Sequence, residues 1–216
     1  ELLKVILVIF LASYLDEHRE VMSEVPYRVG PVRLPPLPYL LPMVAMWGMT
    51  MGIIIIQRDL GAALLLFGVF LAMLYVATNR AWYVVAGLTA FAGGAYVLNR
   101  TISRVSERVD LWLNPWSHPN GFQPVQGAYA ESAAGVFGSG LGQGLPAYVP
   151  AAHTDYAFIS LTEELGLAGA IGILIVYIFL MYRGFHVALS LNSRFRGFEQ
   201  LLAVGLTSII AIQTFI

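Results

Sequence analysis

Residues 62–77 read AALLLFGVFLAMLYVA, an unbroken apolar run without a charge or a proline. The hydrocarbon core of a bilayer is about 30 Å thick, and a helix crossing it needs about 20 mostly apolar residues, fewer with help from its flanks. Inside lipid every backbone N–H and C=O has to find a partner within the protein, which leaves helices and closed barrels as spanning structures. The run is continuous rather than alternating, and that pattern selects the helix over the barrel strand.

Working outward, similar runs occupy 2–15, 37–57, 82–98, 165–182 and 198 to the end, giving six candidate spans. Composition agrees: 58% of the chain is hydrophobic and 12% is charged, against about 25% charged residues in a soluble domain. A net charge of −1 gives no basis for nucleic-acid binding. The absence of cysteine excludes a disulfide framework, a thiolate nucleophile and a Cys-based metal site, and the four histidines do not form a zinc spacing. We expect an all-α, polytopic transmembrane helix bundle, a single integral membrane domain over 1–216 with a long loop at 99–163. The chain opens at Glu1 next to one apolar run and closes inside another, so we expect a fragment with further spans at both ends and no signal peptide of its own.

Successive spans place the loops on alternate sides. Loops 16–36, 78–81 and 183–197 carry Arg19, Arg28, Arg33, Arg80, Arg183, Arg194 and Arg196, whereas the short break on the other side carries Arg58 alone. Short loops rich in cations stay in the cytoplasm, so loop 99–163 is expected to face outward. Within it, Ile102, Val105, Val109 and Trp112 recur at helical spacing with Arg100, Arg104 and Arg108 on another side, an amphipathic helix suited to the outer interface. Residues 114–121, NPWSHPNG, carry turn chemistry. Residues 126–136 are weakly apolar and are a candidate re-entrant segment. Gly135, Gly138, Gly140, Gly142 and Gly144 then make a flexible or tightly turning stretch. Irregular backbone at membrane depth is tolerated against protein or a water-filled cavity, so the loop is expected to fold back over the bundle and line one.

Ionisable groups in or beside spans are costly and are therefore candidates for function. Glu1 and Lys4 are three residues apart and share a helix face. They read either as a helix-end ion pair or as part of a site, and Lys4 is the chain's one lysine. Asp59 fits an N-cap for the third span better than a catalytic role. Asp155 follows His153-Thr154 and precedes an apolar run. It reads equally as a helix cap and as a general base whose pKa a cavity would raise. Glu163 and Glu164 read as a charged start of the fifth span, where acids favour the helix dipole. His153 reads as a metal ligand or as a group that positions Asp155, with a hydrogen-bonding structural role favoured over both. The glycines at 138–142 lie between no strand and helix, so they are not a dinucleotide fingerprint.

Several motifs together resemble the SEDS family (shape, elongation, division and sporulation). Residues 1–4, ELLK, resemble the end of its Pro-Ser-Glu-x-x-Lys element. Residues 58–61, RDLG, resemble its Pro-Asp-Leu-Gly turn, and 121–126, GFQPVQ, its Gly-Tyr-Gln-x-x-Gln. Residues 135–144, GVFGSGLGQG, resemble its glycine-rich stretch. Residues 150–156, PAAHTDY, through 163–166, EELG, resemble its Pro-x-x-His-Thr-Asp-Phe…Glu-Glu-Leu-Gly block. The motifs occur in family order along nearly the whole chain. Arg58 stands where the family has proline, Ala62 where it has threonine, and SAAG at 132–135 where it has Gly-Ser-Gly-Gly.

The resemblance implies a peptidoglycan glycosyltransferase of the RodA/FtsW type, about ten spans in full, of which this piece would hold the fourth to the ninth. It implies polymerisation of lipid II outside the cytoplasmic membrane, release of undecaprenyl diphosphate and a class B penicillin-binding protein as partner. Of the two readings open for Asp155, it implies the essential catalytic residue. Glu1 and Lys4 would face the same cavity, with Asp59, Gln126, His153, Thr154, Glu163 and Glu164 in support. The leaving diphosphate needs cationic compensation, from Lys4, an arginine or a divalent ion such as Mg or Mn. The rival readings are a lipid II flippase, which would spread charge along the bundle at mid-depth, and a non-catalytic scaffold, which needs no essential carboxylate.

Overall fold

A computed structural model describes residues 2–20, 27–29, 32–34, 41–42, 44–49, 52, 60–144, 156–191 and 195–215. In chain order the elements are α1 (Leu2–Glu17), β1 (Tyr27–Val29), β2 (Val32–Leu34), α2 (Leu60–Thr78), α3 (Ala81–Thr101), α4 (Ser103–Leu113), α5 (Phe122–Ala134), α6 (Ala157–Ser190) and α7 (Gly197–Phe215). Among the described residues four helices, α2, α3, α6 and α7, are long and apolar enough to cross a membrane. The chain is a multi-pass helical membrane protein.

The expected spans at 62–77, 82–98 and 198 onward coincide with α2, α3 and α7. The expected first span matches the 16 residues of α1, and most of the second lies outside the described residues. The fold is helical as expected, with one short ribbon beside the helices: β1 and β2 pair antiparallel with Tyr27 opposite Leu34 and Val29 opposite Val32. The β-branched and aromatic residues of that segment favour a pleated backbone, and only Gly30 and Pro31 separate the strands in sequence. The fifth span, expected to start at Leu165, belongs to a helix that already begins at Ala157 and breaks at Gly166.

The chain forms two compact units, residues 1–90 with 179–216, and residues 91–178. In the first, α1, α2 and α7 pack together. Each contributes one stripe at i, i+3, i+4, i+7: Val8, Leu11, Ala12 and Leu15; Leu66, Val69, Phe70 and Met73; Leu201, Val204, Gly205 and Ser208 are all buried. In lipid, burial of apolar groups drives no association between helices, so close van der Waals packing over small residues has to supply it. Gly205 serves that need. A Cβ there would meet Val8 Cγ1 at 2.5 Å and Met73 Sδ at 2.8 Å, so the three helices converge on its bare backbone. Trp47 closes one side, with its ring centroid 5.7 Å from that of Phe67 and 5.1 Å from that of Phe70.

The second unit holds the end of α3, then α4, α5 and the first half of α6. Ile102 adopts an extended conformation between α3 and α4, so one residue redirects the chain as it leaves the span. Among its described residues, the segment expected as a loop, 99–163, therefore carries two helices of its own and the first turns of a third.

Candidate functional site

The 34 residues of α6 would measure about 51 Å as a straight helix at 1.5 Å per residue, well beyond the hydrocarbon core. The helix does not run straight. Gly166 has φ 71° and ψ −175°, a conformation open to glycine and costly for other residues. Such a break disturbs the backbone hydrogen bonds that cross it. In an unbroken helix Leu167 N–H would donate to Glu163 C=O, and Ala168 N–H to Glu164 C=O.

Here each of the four groups is paired with the glycine-rich segment that follows α5. Leu167 N–H donates to Gly135 C=O at 3.0 Å and Ala168 N–H to Val136 C=O at 3.0 Å. In return Glu163 C=O accepts from Ser139 N–H at 2.9 Å, and Glu164 C=O from Gly140 N–H at 3.0 Å. Ser139 Oγ adds a second donor to Glu163 C=O at 3.0 Å. Residues 135–140 thus form a strap seated in the helix break, and these four backbone groups keep partners there.

The glycines of the strap follow from this geometry. Gly138 has φ 74°, and a Cβ on it would run into the carbonyl of Glu164 and the amide of Gly166. A Cβ on Gly166 would in turn meet Gly138 N and Val136 O. Two backbones approach here with no room for a side chain on either. The stretch that sequence marked as flexible or tightly turning takes the second form, with positive φ at Gly135, Gly138, Gly140 and Gly142.

Two further contacts fix the first turns of α6. A Cβ on Gly127, in the middle of α5, would meet Ile159 Cδ1 at 2.8 Å and Tyr156 Cε1 at 3.1 Å, so the helices touch at van der Waals distance. A Cβ on Gly144 would meet Glu164 Cγ at 2.9 Å and Glu163 Cδ at 3.5 Å, so both acids lie against that glycine. Upstream of α5, the predicted turn is present. Gly121 N–H donates to His118 C=O at 2.9 Å, Asn120 N–H donates to His118 Nδ1 at 3.1 Å, and a side chain on Gly121 would collide with Pro115 C=O.

Of the residues singled out from sequence, Gln126, Glu163 and Glu164 lie in this second unit, all half-buried. Glu163 and Glu164 do not start the span. They stand nearly two turns inside α6, just ahead of its break. Lys4 is half-buried in α1 of the first unit. Glu1, Asp59, His153, Thr154 and Asp155 lie outside the described residues. Sequence reading passed over Gly127 and met Gly166 only as the last residue of the EELG motif. The available signal was a glycine within the apolar run that follows two acids. Among the described residues no three His, Cys, Asp or Glu side chains gather to hold a metal ion.

A family model described as cell cycle protein, FtsW/RodA/SpoVE, matches residues 1–216. The peptidoglycan glycosyltransferase RodA of Mycobacterium bovis is 39% identical over 218 residues, which cover 100% of this chain and 46% of the relative. The stage V sporulation protein E of Bacillus subtilis is 34% identical over 221 residues, covering 100% of this chain and 56% of the relative. A probable peptidoglycan glycosyltransferase FtsW of Geobacter metallireducens is 32% identical over 220 residues, with 100% and 55% covered. The chain spans about half the length of the curated relatives it matches. Among solved structures, a chain from a peptidoglycan synthase complex that coordinates polymerization and crosslinking superposes with a TM-score of 0.61 at 22% identity, over 97% of this chain and 68% of that one, which establishes a shared fold. The chain belongs to the FtsW/RodA/SpoVE family of cell cycle proteins.

Proposed function

We propose that the protein to which this chain belongs is a peptidoglycan glycosyltransferase that polymerises lipid II into glycan strands during cell elongation or division. The observation that carries this reading is the 39% identity, across the whole chain, to a RodA that bears this activity in its name. In this reading Asp155 is the catalytic base. Its carboxylate takes the proton of an acceptor sugar hydroxyl as that oxygen attacks the anomeric carbon of a lipid-linked donor. The bond from that carbon to the diphosphate oxygen breaks, and undecaprenyl diphosphate leaves with the electron pair. Lys4 or an arginine meets the charge that develops on the leaving group. Glu1, Asp59, Gln126, His153, Thr154, Glu163 and Glu164 support the substrate or the base.

The reaction takes place on the outer side of the bacterial cytoplasmic membrane. The excess of arginine in segments 16–36, 78–81 and 183–197, the last of which starts within the end of α6, supports that orientation. The lipid tails lie between spans while the sugars sit under the loop region 99–163, and a class B penicillin-binding protein is the partner that crosslinks the product. A divalent cation, Mg or Mn, is the alternative source of charge for the diphosphate, and activity after chelation and re-addition of each ion tests it.

The deciding experiment is polymerisation of labelled lipid II by the full-length protein with its transpeptidase, wild type against Asp155→Ala. The substitution is expected to abolish glycan strands while the protein still folds and binds its partner. Polymerisation retained by Asp155→Ala would overturn the assignment.

A further inference from the structure

The strap and the break in α6 complete each other's backbone hydrogen bonds. With the strap seated, Glu163 and Glu164 carbonyls accept from Ser139 and Gly140, and Leu167 and Ala168 amides donate to Gly135 and Val136. With the strap withdrawn, Leu167 and Ala168 can re-bond to Glu163 and Glu164 once Gly166 turns from φ 71° to the helical region, which glycine reaches as readily. The helix would then run straight. The pairing therefore bears on the direction of 157–165 relative to 167–178. Gly127 holds the same segment from the side through Tyr156 and Ile159. In sequence, His153-Thr154-Asp155 directly precedes Tyr156, so whatever aims the first turns of α6 acts on the triplet through one covalent step.

We infer that Gly138, Ser139 and Gly166 are positioning residues, which keep the strap 135–140 in the break of α6 and so aim the segment that carries Glu163 and Glu164 and follows His153-Thr154-Asp155. The inference rests on the glycosyltransferase reading. A shift of about 1 Å in a reacting group costs on the order of 10²-fold in rate, and straightening a kinked helix moves its end by more than that.

The chain has no cysteine, so labels can be placed at will. In the full-length protein, with any cysteine elsewhere replaced, Phe158→Cys and Val176→Cys carry spin labels on either side of the break. Both positions are exposed. An unbroken helix would separate them by about 27 Å at 1.5 Å per residue, and a kinked one brings them closer. Gly166→Ala and Gly138→Ala each put a methyl group where the strap and helix backbones meet, and alanine at 166 favours the straight helix. Both are expected to lengthen the label distance toward the unbroken value. Both should lower kcat for lipid II polymerisation by about 10², with KM within a factor of about two because binding contacts remain. Ser139→Ala removes only the hydroxyl bond, keeps the fold, and is expected to give a mixed distance distribution and a smaller loss of kcat. Unchanged distances in all three variants would overturn the inference, and so would a lengthened distance with wild-type kcat. In the last case the glycosyltransferase reading survives. An inactive wild-type protein would instead sink that reading, and the inference with it, while the distances still report whether the strap holds the hinge.

Discussion

Arg19 Nη1 donates to Gln200 Oε1 at 3.3 Å, joining the end of α1 to the first turn of α7. The same guanidinium reaches the third helix through Nη2, which donates to Val76 C=O near the end of α2 at 3.2 Å. Asp16, one turn back, sets its carboxylate against Gly197 at the N-terminus of α7, where the helix dipole favours an anion. One arginine therefore ties together α1, α2 and α7. Hydrogen bonds to a charged group contribute about 1.5–3 kcal/mol each, so Arg19→Ala is expected to lower unfolding stability by about 3 kcal/mol and Gln200→Leu by about 1–2. In a double-mutant cycle the pair should show a coupling of about 1 kcal/mol. Additive losses, measured by denaturant titration in micelles, would remove Gln200 from this account.

Gly205 is expected to be among the least replaceable positions of the first unit. An added methyl group would press on Val8 Cγ1 and Met73 Sδ at once. Methionine can yield, but Val8 is fully buried and cannot move without disturbing α1. Overpacking of this kind costs about 1–3 kcal/mol, so Gly205→Ala should fall in that range and Gly205→Leu should prevent assembly of the three helices. Gly93 in α3 makes the control, since nothing described lies within 4 Å of a Cβ placed there. Gly93→Ala should be neutral or stabilising by up to about 1 kcal/mol, the helix-propensity difference. Equal effects at the two positions would show that packing at Gly205 is not what limits it.

The spans α2, α3 and α7 were legible in sequence because lipid removes the alternatives: an apolar run that long has nowhere to place its backbone polar groups except in a helix. Their ends fell within a few residues for the same reason. The break in α6 was not legible, because its cause lies in a distant segment. Gly166 alone permits both a helical and a left-handed backbone, and only the seated strap decides between them. For the same reason Glu163 and Glu164 looked like the start of a span: acids favour a helix N-terminus, and local sequence cannot tell an N-terminus from the rim of a break. The ribbon at 27–34 depends on cross-strand pairing that no single-chain periodicity displays. Of the candidate site, sequence motifs named Gln126, Glu163 and Glu164, which the fold gathers in one unit. They gave no hint that Gly127 and Gly144 are what those residues' neighbours rest on.

The amphipathic helix expected in loop 99–163 exists as α4. Trp112, Leu113 and Trp116, at and just beyond its end, are 80%, 68% and 63% exposed. Such large apolar groups in water are costly unless a surface covers them. Because α4 begins two residues beyond the end of the α3 span, the bilayer interface is the surface within reach, and tryptophan favours that depth. In vesicles, a variant that keeps Trp112 and carries Phe at Trp47, Trp82 and Trp116 should be quenched most by lipids brominated near the headgroup. Quenching equal to that of free tryptophan in water would place α4 away from the membrane.

Gly127 offers a test of how tightly α5 holds the start of α6. Its Cβ position is 2.8 Å from Ile159 Cδ1 and 3.1 Å from Tyr156 Cε1, closer than ordinary carbon contacts of about 3.5–4.0 Å. An alanine must therefore push one of them away. Ile159 Cδ1 ends a rotatable chain and can yield, whereas the Tyr156 ring is stiff and sits next to Asp155 in sequence. If the push reaches Tyr156, Gly127→Ala should lower polymerisation by about tenfold, well short of the loss from misplacing the reacting group outright. Ile159→Val by itself deletes the methyl group that collides first and should cost only about 0.5–1.5 kcal/mol of stability. Combined with Gly127→Ala, it makes room for the new methyl group and should restore most of the activity. This non-additive recovery would identify the contact, since residues in contact couple and distant ones do not. If the double variant is no more active than Gly127→Ala, the effect of the alanine travels by another route, and α5 does not set the position of Tyr156.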